Sequence, residues 1–135
     1  MFDEFVQEVF FIKIKIKSHL ENIKENTGET IETFGIKNKN SITYHNNDTI
    51  HKLIIKNNKI IMIRENNEFT HTFNFELKKE TKSEYYIKEY LTSIELMILT
   101  TKLLISDNRI EIIYKVLDSN EEYKYMIDLE WNKWV

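Results

Sequence analysis

The sequence predicts an all-β protein whose antiparallel strands run up and down one sheet, preceded by a short helix. Three observations support this fold class. Apolar and polar residues alternate strictly in several segments, as they do in strands with one buried face. Asparagine pairs, which tolerate the left-handed backbone of tight turns, recur roughly every ten residues. An apolar run over residues 93–106 is too long for a straight strand and must bend, as strands do where curved sheets close.

Composition limits the class of protein further. The chain has 135 residues, no cysteine, no proline and a formal charge of −3. This length suits one domain, so we expect a single β-barrel over residues 1–135 with a helical extension over 1–9. The lack of cysteine excludes disulfide frameworks and thiolate chemistry. The mild, mixed charge gives no general attraction to nucleic acid or to anionic membranes.

The first nine residues carry the helical pattern. Their apolar members share one helical face: Phe2, Phe5, Val6 and Val9. Asp3 and Glu4 suit the first turn of a helix and replace the basic residues of a secretory signal. No apolar run approaches the ~20 residues of a membrane span, so we expect a cytoplasmic protein. The helix covers one end of the core or, alternatively, serves as a partner-binding tail.

The clearest strand begins at Ile12, where isoleucine and lysine alternate as far as Lys17. The lysines predict a solvated face, with a phosphate-binding stripe as the alternative. A polar loop is expected from His19 to Glu29, ending near Gly28. Shorter strands follow, separated by turns at the asparagine pairs 46–47, 57–58 and 66–67: Thr30–Ile36, Ser41–His45, Thr49–Lys56 and Lys59–Arg64.

The second half of the chain continues in the same way. Phe69–Leu77 alternates and places Phe69, His71, Phe73 and Phe75 on one face. A charged turn over Lys78–Ser83 is expected next. The remaining predicted strands are Glu84–Tyr90, Ser93–Ser106, Arg109–Leu117 and Tyr123–Trp131. In the long one, β-branched residues favour a strand over a helix, and the apolar phase changes face near Thr100–Lys102, where we expect the bend.

Four places, taken together, carry a resemblance to a known family. They are Ile12–Ser18, Ile63-Arg64 before an asparagine-rich turn, Phe73-Asn74-Phe75, and Tyr90–Leu96 at the start of the long strand. Between Ile12 and Trp131 the chain resembles the YwiB-like family of small bacterial proteins with a lipocalin-like (calycin-type) barrel. The family opens its long strand with a Thr-Pro-Tyr-Gly turn, and Ser93 stands here at the glycine position. The resemblance implies a fold and a cytoplasmic bacterial context, but no substrate.

A barrel of about eight strands is either filled by its side chains or wide enough for one small ligand. The large rings expected inside leave both outcomes open: Phe69, Phe73, Phe75, Tyr123, Tyr125 and Trp131. His71, between aromatic residues, could orient a ligand or act as a base, or it could be a core histidine bonded to a tyrosine or carbonyl. Arg64, if inward, needs an acid such as Glu89 or Glu95, and otherwise lies exposed beside a turn.

These observations favour a non-enzymatic barrel that binds a small apolar or aromatic ligand. The expected ligand-binding residues are Arg64, His71, Phe73, Glu95 and Tyr125. No catalytic residue, cofactor or metal site is expected, because the sequence has no phosphate-binding glycine loop, no nucleophile motif and no metal-ligand spacing.

Two other functions remain open. One is a solid-core interaction module that uses its outer surface and termini, including Trp131 and Trp134, as a monomer or weak homodimer. The other is a small-barrel enzyme with His71 or Glu95 as its acid or base. No nucleic-acid or membrane partner is expected, because the Lys13–Lys17 stripe is local and lacks stacking aromatics on its face.

Overall fold

The computed structural model describes residues 12–131, and these form a closed antiparallel barrel of ten strands. The amphipathic helix predicted for residues 1–9, the side chain of Trp131 and the predicted role of Trp134 lie outside the described part. The strands are β1 (Ile12–Asn22), β2 (Thr27–Lys37), β3 (Ser41–Asn46), β4 (Thr49–Lys56), β5 (Lys59–Glu65), β6 (Phe69–Glu76), β7 (Glu80–Ile87), β8 (Thr92–Ile105), β9 (Arg109–Val116) and β10 (Glu121–Trp131).

The strands are connected in the simplest way, each pairing with its neighbours in sequence, and the first pairs with the last. The β1–β10 ladder closes the barrel, with Ile16 opposite Leu129 and Ser18 opposite Ile127. The predicted up-and-down topology is therefore confirmed, and each of the ten strands overlaps one of the strand segments predicted from the sequence. Within residues 12–131, no helix has the length and hydropathy needed to cross a bilayer.

Alternating strand directions give the barrel two different ends. The turns at residues 23–26, 47–48, 66–68, 88–91 and 117–120 gather at one end, which we call the mouth. The other end, which we call the packed end, carries the remaining turns and both ends of the described chain. Most fully buried apolar side chains fill the packed end: Ile14, Ile16, Ile42, Leu53, Ile60, Met62, Phe75, Ile110, Ile112, Ile127 and Leu129.

The long strand β8 bends where the sequence predicts. Its pairing with β9 shifts register between Thr100 and Lys102. Before the shift the inward positions are even-numbered, as at Ile98 and Thr100, and after it they are odd-numbered, as at Leu103. A bulge of this kind increases local twist and lets one strand turn a corner of a barrel.

The polar loop predicted for residues 19–29 is wrong, because the first and last parts of this range belong to strands β1 and β2. β1 continues to Asn22, the turn occupies residues 23–26, and β2 begins at Thr27 and includes Gly28. The turn ends at Asn26, which has a φ of 57°. Apolar alternation fades here because these parts of both strands reach the mouth, where inward positions are only half-buried, as at Leu20 and Ile31.

The charged turn predicted over residues 78–83 is also too long. β7 begins at Glu80, and its inward positions include Thr81 and the buried Ser83. Small polar residues at inward positions remove the apolar signal on which strand prediction depends. β7 then ends at Ile87, three residues before the predicted Tyr90, which lies in the turn before β8.

Asparagine makes the turns in two ways. Asn47, Asn57 and Asn120 adopt positive φ angles between 50° and 63°, in the region that asparagine tolerates better than most residues. Asn66 instead uses its side chain, whose Oδ1 accepts hydrogen bonds from the backbone N–H groups of Glu68 and Phe69. The turns predicted at the asparagine pairs 46–47, 57–58 and 66–67 are confirmed.

Candidate functional site

Three polar side chains lie side by side on the inner wall near the mouth. The register places His51 of β4 opposite Arg64 of β5, and Arg64 opposite His71 of β6. Arg64 faces inward because it follows Ile60 and Met62 at the alternating spacing of a strand. The two-residue turn at 57–58 sets the first pairing, and the loop at 66–68 sets the second.

A cavity of about 480 Å³ opens at the mouth beside this row. Its wall is mainly apolar, with a few polar groups: Leu20, Arg64, His71, Phe73, Ser83, Leu96, Ile98, Tyr114, Val116, Asp118, Ser119, Glu121 and Tyr123. The volume falls within the roughly 300–1,000 Å³ of small-molecule sites. The barrel is therefore packed at one end and hollow at the other.

Arg64 brings a positive charge into this cavity. Its guanidinium lies over the Phe73 ring, 5.1 Å from the centroid. It also lies beside the Tyr114 hydroxyl, where its charge partly offsets the effect of burial, which raises the pKa of Tyr114 to about 12. No carboxylate among residues 12–131 forms an ion pair with Arg64. The ring face attracts the cation, but it does not neutralise the charge.

His71 is held by one hydrogen bond and two ring contacts. Its Nε2 lies 3.0 Å from the Ser83 hydroxyl, and its ring centroid lies 4.0 Å from that of Phe73 and 5.1 Å from that of Tyr85. Burial, reinforced by the charge of Arg64, lowers the pKa of His71 to about 4. The imidazole is therefore neutral at pH 7. Its partner is a serine, and not the tyrosine or carbonyl considered from the sequence.

His51 occupies the corresponding position on the other side of Arg64. It stacks on Tyr44 with ring centroids 4.7 Å apart and the planes within 2°. Burial first, then the charges of Arg64 and His45, lower the pKa of His51 to about 4. Its Nδ1 is buried and makes no hydrogen bond within the described chain. Arg64 is thus flanked by two neutral imidazoles.

A hydroxyl cluster adjoins the row on the side of His51, where Tyr44 is opposite His51 in the β3–β4 ladder. The Tyr44 hydroxyl is hydrogen-bonded to the Tyr125 hydroxyl and lies 3.2 Å from Ser18 Oγ. Burial raises the pKa of both phenols, so they remain neutral hydrogen-bonding groups. The cluster ties β1, β3 and β10 together by side chains from separate strands.

The rim of the cavity is acidic. The Glu121 carboxylate accepts hydrogen bonds from the Tyr123 hydroxyl at 3.1 Å and from the Ser119 hydroxyl at 3.2 Å. Asp118 lies beside them on the adjoining turn. Burial and the hydrogen bond to Glu121 raise the pKa of Tyr123. A cationic interior thus lies behind an anionic entrance.

The structure brings together three of the five ligand-binding residues expected from the sequence. Arg64, His71 and Phe73 line the cavity, whereas Tyr125 lies in the core and reaches towards Tyr44. Glu95 lies on the outer face, with its side chain 57% exposed and 3.7 Å from Lys82 Nζ. The expected pairing of Glu95 with Arg64 does not form, because strand alternation turns Glu95 outward while Leu96 lines the cavity.

Several site residues were not identified from the sequence: Tyr44, His51, Ser83 and Tyr114. The signal for three of them was present, because Tyr44, His51 and Tyr114 are each two residues from an apolar inward residue: Ile42, Leu53 and Ile112 respectively. Ser83 follows no apolar alternation and lacked such a signal.

The Ser83–His71 pair has the first element of a nucleophilic site but lacks the others. A serine bonded to a histidine needs a further group that orients the imidazole, usually a carboxylate. No carboxylate of the described chain bonds to His71. A pKa of about 4 also makes this imidazole a weak base. No group of three or more metal-ligating side chains within residues 12–131 could hold a metal ion.

Comparison with known proteins finds a solved structure with the same fold. The sequence matches no family model and no curated protein. Its structure is similar to the crystal structure of the ywiB protein from Bacillus subtilis, with a TM-score of 0.68. The chain shares the fold of YwiB. The match covers 98% of this chain and 100% of YwiB at 16% sequence identity, so the likeness to YwiB establishes the barrel alone.

Proposed function

We propose that this protein is a binding barrel that holds one small, mostly apolar or aromatic molecule in the cavity at its mouth. The observation that carries the proposal is the 480 Å³ cavity, in which an apolar wall surrounds a few convergent polar groups. Phe73, Leu96 and Ile98 would contact the apolar body of the ligand. Arg64 and His71 would fix its orientation.

Binding is favoured over catalysis by the chemistry of the polar groups. An acid–base enzyme needs a group whose pKa lies near the working pH, and His71 lies well below it. Its serine partner is almost completely buried. A binding role needs only the neutral hydrogen-bonding groups and the cation that the cavity wall provides.

We also propose that the chain is a divergent, lipocalin-like member of the YwiB-like family. The support is the fold shared with YwiB over nearly the whole of both chains, together with the four sequence segments that resemble the family. An up-and-down barrel with an open mouth is the arrangement in which lipocalins hold small ligands. The fold suggests a binding role by analogy, and the cavity supplies the physical argument.

The proposal is tested by titrating the protein with N-phenyl-1-naphthylamine, a neutral apolar dye whose fluorescence rises in apolar surroundings. We expect saturable binding of one dye per chain. The Leu96→Trp variant fills the cavity and should lose the binding. The matched control Leu104→Trp changes an exposed residue of the same strand and should keep it. No saturable signal, or equal binding by both variants, would contradict the proposal.

A second candidate function, a weak homodimer, is favoured by a patch on the outer wall. Phe34 is 59% exposed and Ile36 is 48% exposed, and both lie on the outward face of β2. Lys13 Nζ lies 4.9 Å from the Phe34 centroid within this patch. Multi-angle light scattering over a concentration series, with Phe34→Ser as the variant, separates the two functions. A strictly monomeric wild type would exclude the dimer.

A further inference from the structure

We infer that the ligand carries one carboxylate, which binds Arg64 inside the cavity while its apolar body lies against Phe73, Leu96 and Ile98. This inference rests on the proposed binding function and specifies its ligand class.

Arg64 carries a charge that no anion of the described residues balances. A half-buried guanidinium without an anion is costly, since it loses part of its hydration and gains no ion pair. Phe73 covers one face of the group, and Tyr114 is a neutral neighbour. A carboxylate would supply the missing charge, and the planar fork of the guanidinium suits it in a bidentate arrangement.

No acid of residues 12–131 takes this role: Glu121, whose charge reaches Tyr114, forms no ion pair with Arg64. His51 and His71 flank Arg64 and are neutral at pH 7. Ser83 is also neutral, and Glu95 lies outside the barrel. The inner cavity therefore carries a net charge of about +1, which a monoanion balances. The neutral His71 and the Tyr114 hydroxyl could hydrogen-bond the oxygen atoms that Arg64 leaves free.

The acidic rim selects between oxyanions. Asp118 and Glu121 line the entrance, and Glu121 is held there by Tyr123 and Ser119. A doubly charged phosphate monoester would meet one cation and two acids. A carboxylate carries a single charge and is repelled less. The site therefore favours a carboxylate over a phosphate.

The test is displacement of the neutral dye by three probes of equal chain length: octanoate, 1-octanol and octyl phosphate. We expect octanoate to bind at least about tenfold more tightly than 1-octanol, as a charge-assisted hydrogen bond would give. Octyl phosphate should bind more weakly than octanoate. Since the three probes share one apolar body, the comparison isolates the head group.

Variants of Arg64 test whether this residue causes the preference for octanoate over 1-octanol. Arg64→Met should bind octanoate and 1-octanol about equally while still binding the dye, which shows that it folds. Arg64→Lys keeps the charge but not the fork, and should retain part of the preference. Arg109→Met is the matched control, because Arg109 lies on the outer wall, paired with Asp128 at 2.6 Å, and it should leave the preference unchanged.

The outcomes are distinguishable. Equal binding of octanoate and 1-octanol by the wild type would overturn the carboxylate inference and leave the binding function standing. Tighter binding of octyl phosphate would assign a phosphate ligand instead and would also overturn it. Failure of the dye and of every probe to bind would remove the proposed function itself. An octanoate preference that survives in Arg64→Met would place the anion elsewhere.

Discussion

Arg64 and His71 face each other across the β5–β6 ladder, so a permanent positive charge lies beside an imidazole that stays neutral at pH 7. His51 of β4 lies opposite Arg64 on its other side and is also neutral at pH 7. Because both imidazoles remain uncharged, the electrostatics of the cavity interior are set by one group. Four predictions follow from this row of residues and from the packing around it.

Arg64→Met should stabilise the ligand-free protein by roughly 1 kcal/mol, since replacing an unneutralised, half-buried charge by an apolar side chain is often favourable. It should also raise the pKa of His71 and of His51, because the charge of Arg64 lowers both. Urea unfolding measures the first effect and NMR titration of the imidazoles the second. Arg109→Met should change neither pKa. A large loss of stability in Arg64→Met would show that its contact with Phe73 outweighs the charge.

Stability should fall as pH decreases from about 6.5 towards 4. His51 and His71 have folded-state pKa values of about 4 against 6.5 in the unfolded chain, so the unfolded chain binds up to about one extra proton per histidine in this window. Their stabilising effect is complete above pH 6.5. The groups facing His71 are Arg64, Ser83 and Tyr85, and none of these is an acid that would favour its charged form.

The dependence of the free energy of unfolding on pH is best measured by urea unfolding between pH 5 and 7. This window lies above the range in which paired carboxylates such as Glu65 and Glu111 gain protons. A double variant, His51→Gln with His71→Gln, should flatten the dependence. His19→Gln, at a residue on the outer face of β1 beside Thr30, is the matched control. An equally steep slope in the double variant would show that other groups cause it.

Tyr125→Phe should lower the free energy of unfolding by about 1–2 kcal/mol, because it removes one hydroxyl of a buried hydrogen-bonded pair. Tyr44 would keep only its contact with Ser18. Equilibrium unfolding in urea measures the loss, and Tyr90→Phe, at a residue 68% exposed, is the matched control. Equal stability of the two variants would mean that the cluster contributes little.

Gly35→Ala should destabilise the barrel by roughly 1–3 kcal/mol, the cost typical of overpacking. A Cβ at this position would lie 2.5 Å from Ile16 Cδ1 and 2.7 Å from the carbonyl oxygen of Thr43. The backbone oxygen is part of the β3 strand and cannot easily yield. The glycine has no positive φ, so the effect is one of space and not of backbone conformation.

Thermal denaturation of Gly35→Ala beside Gly28→Ala tests this directly. At Gly28 the nearest atom to an added Cβ is the Leu20 carbonyl oxygen at 3.1 Å, so a milder effect is expected there. If Gly35→Ala melts at the wild-type temperature, the close packing of β1 on β2 and β3 does not limit stability.

Much of the fold follows from local signals. Alternation over Ile12–Lys17 and Phe69–Leu77 predicts strands, and asparagine predicts several of the turns. The bend at Thr100–Lys102 follows from the change of apolar face. These signals fail where β1, β2 and β7 approach the mouth, because inward positions there need not be apolar when they border a water-accessible cavity.

The site was only partly predictable for a related reason. Once the turn at 57–58 and the loop at 66–68 are fixed, the row of His51, Arg64 and His71 follows from counting residues along the hairpins. The pairing of Tyr44 with Tyr125 does not, since it depends on how the closed barrel brings distant strands face to face. Glu95 was misplaced because its role rested on a need for a counter-charge and not on strand alternation.

The division between the mouth and the packed end has a consequence for engineering the protein by substitution or insertion. The five turns around the mouth contribute no side chain to the buried apolar core, and lengthening a surface turn costs only a few tenths of a kcal/mol per added residue once it is flexible. The rim can therefore be redesigned, by substitution or insertion, while the isoleucine-rich half keeps the barrel closed. The turns at the rim and the apolar residues of the packed end share no residue, so access to the cavity can be altered without removing a core side chain.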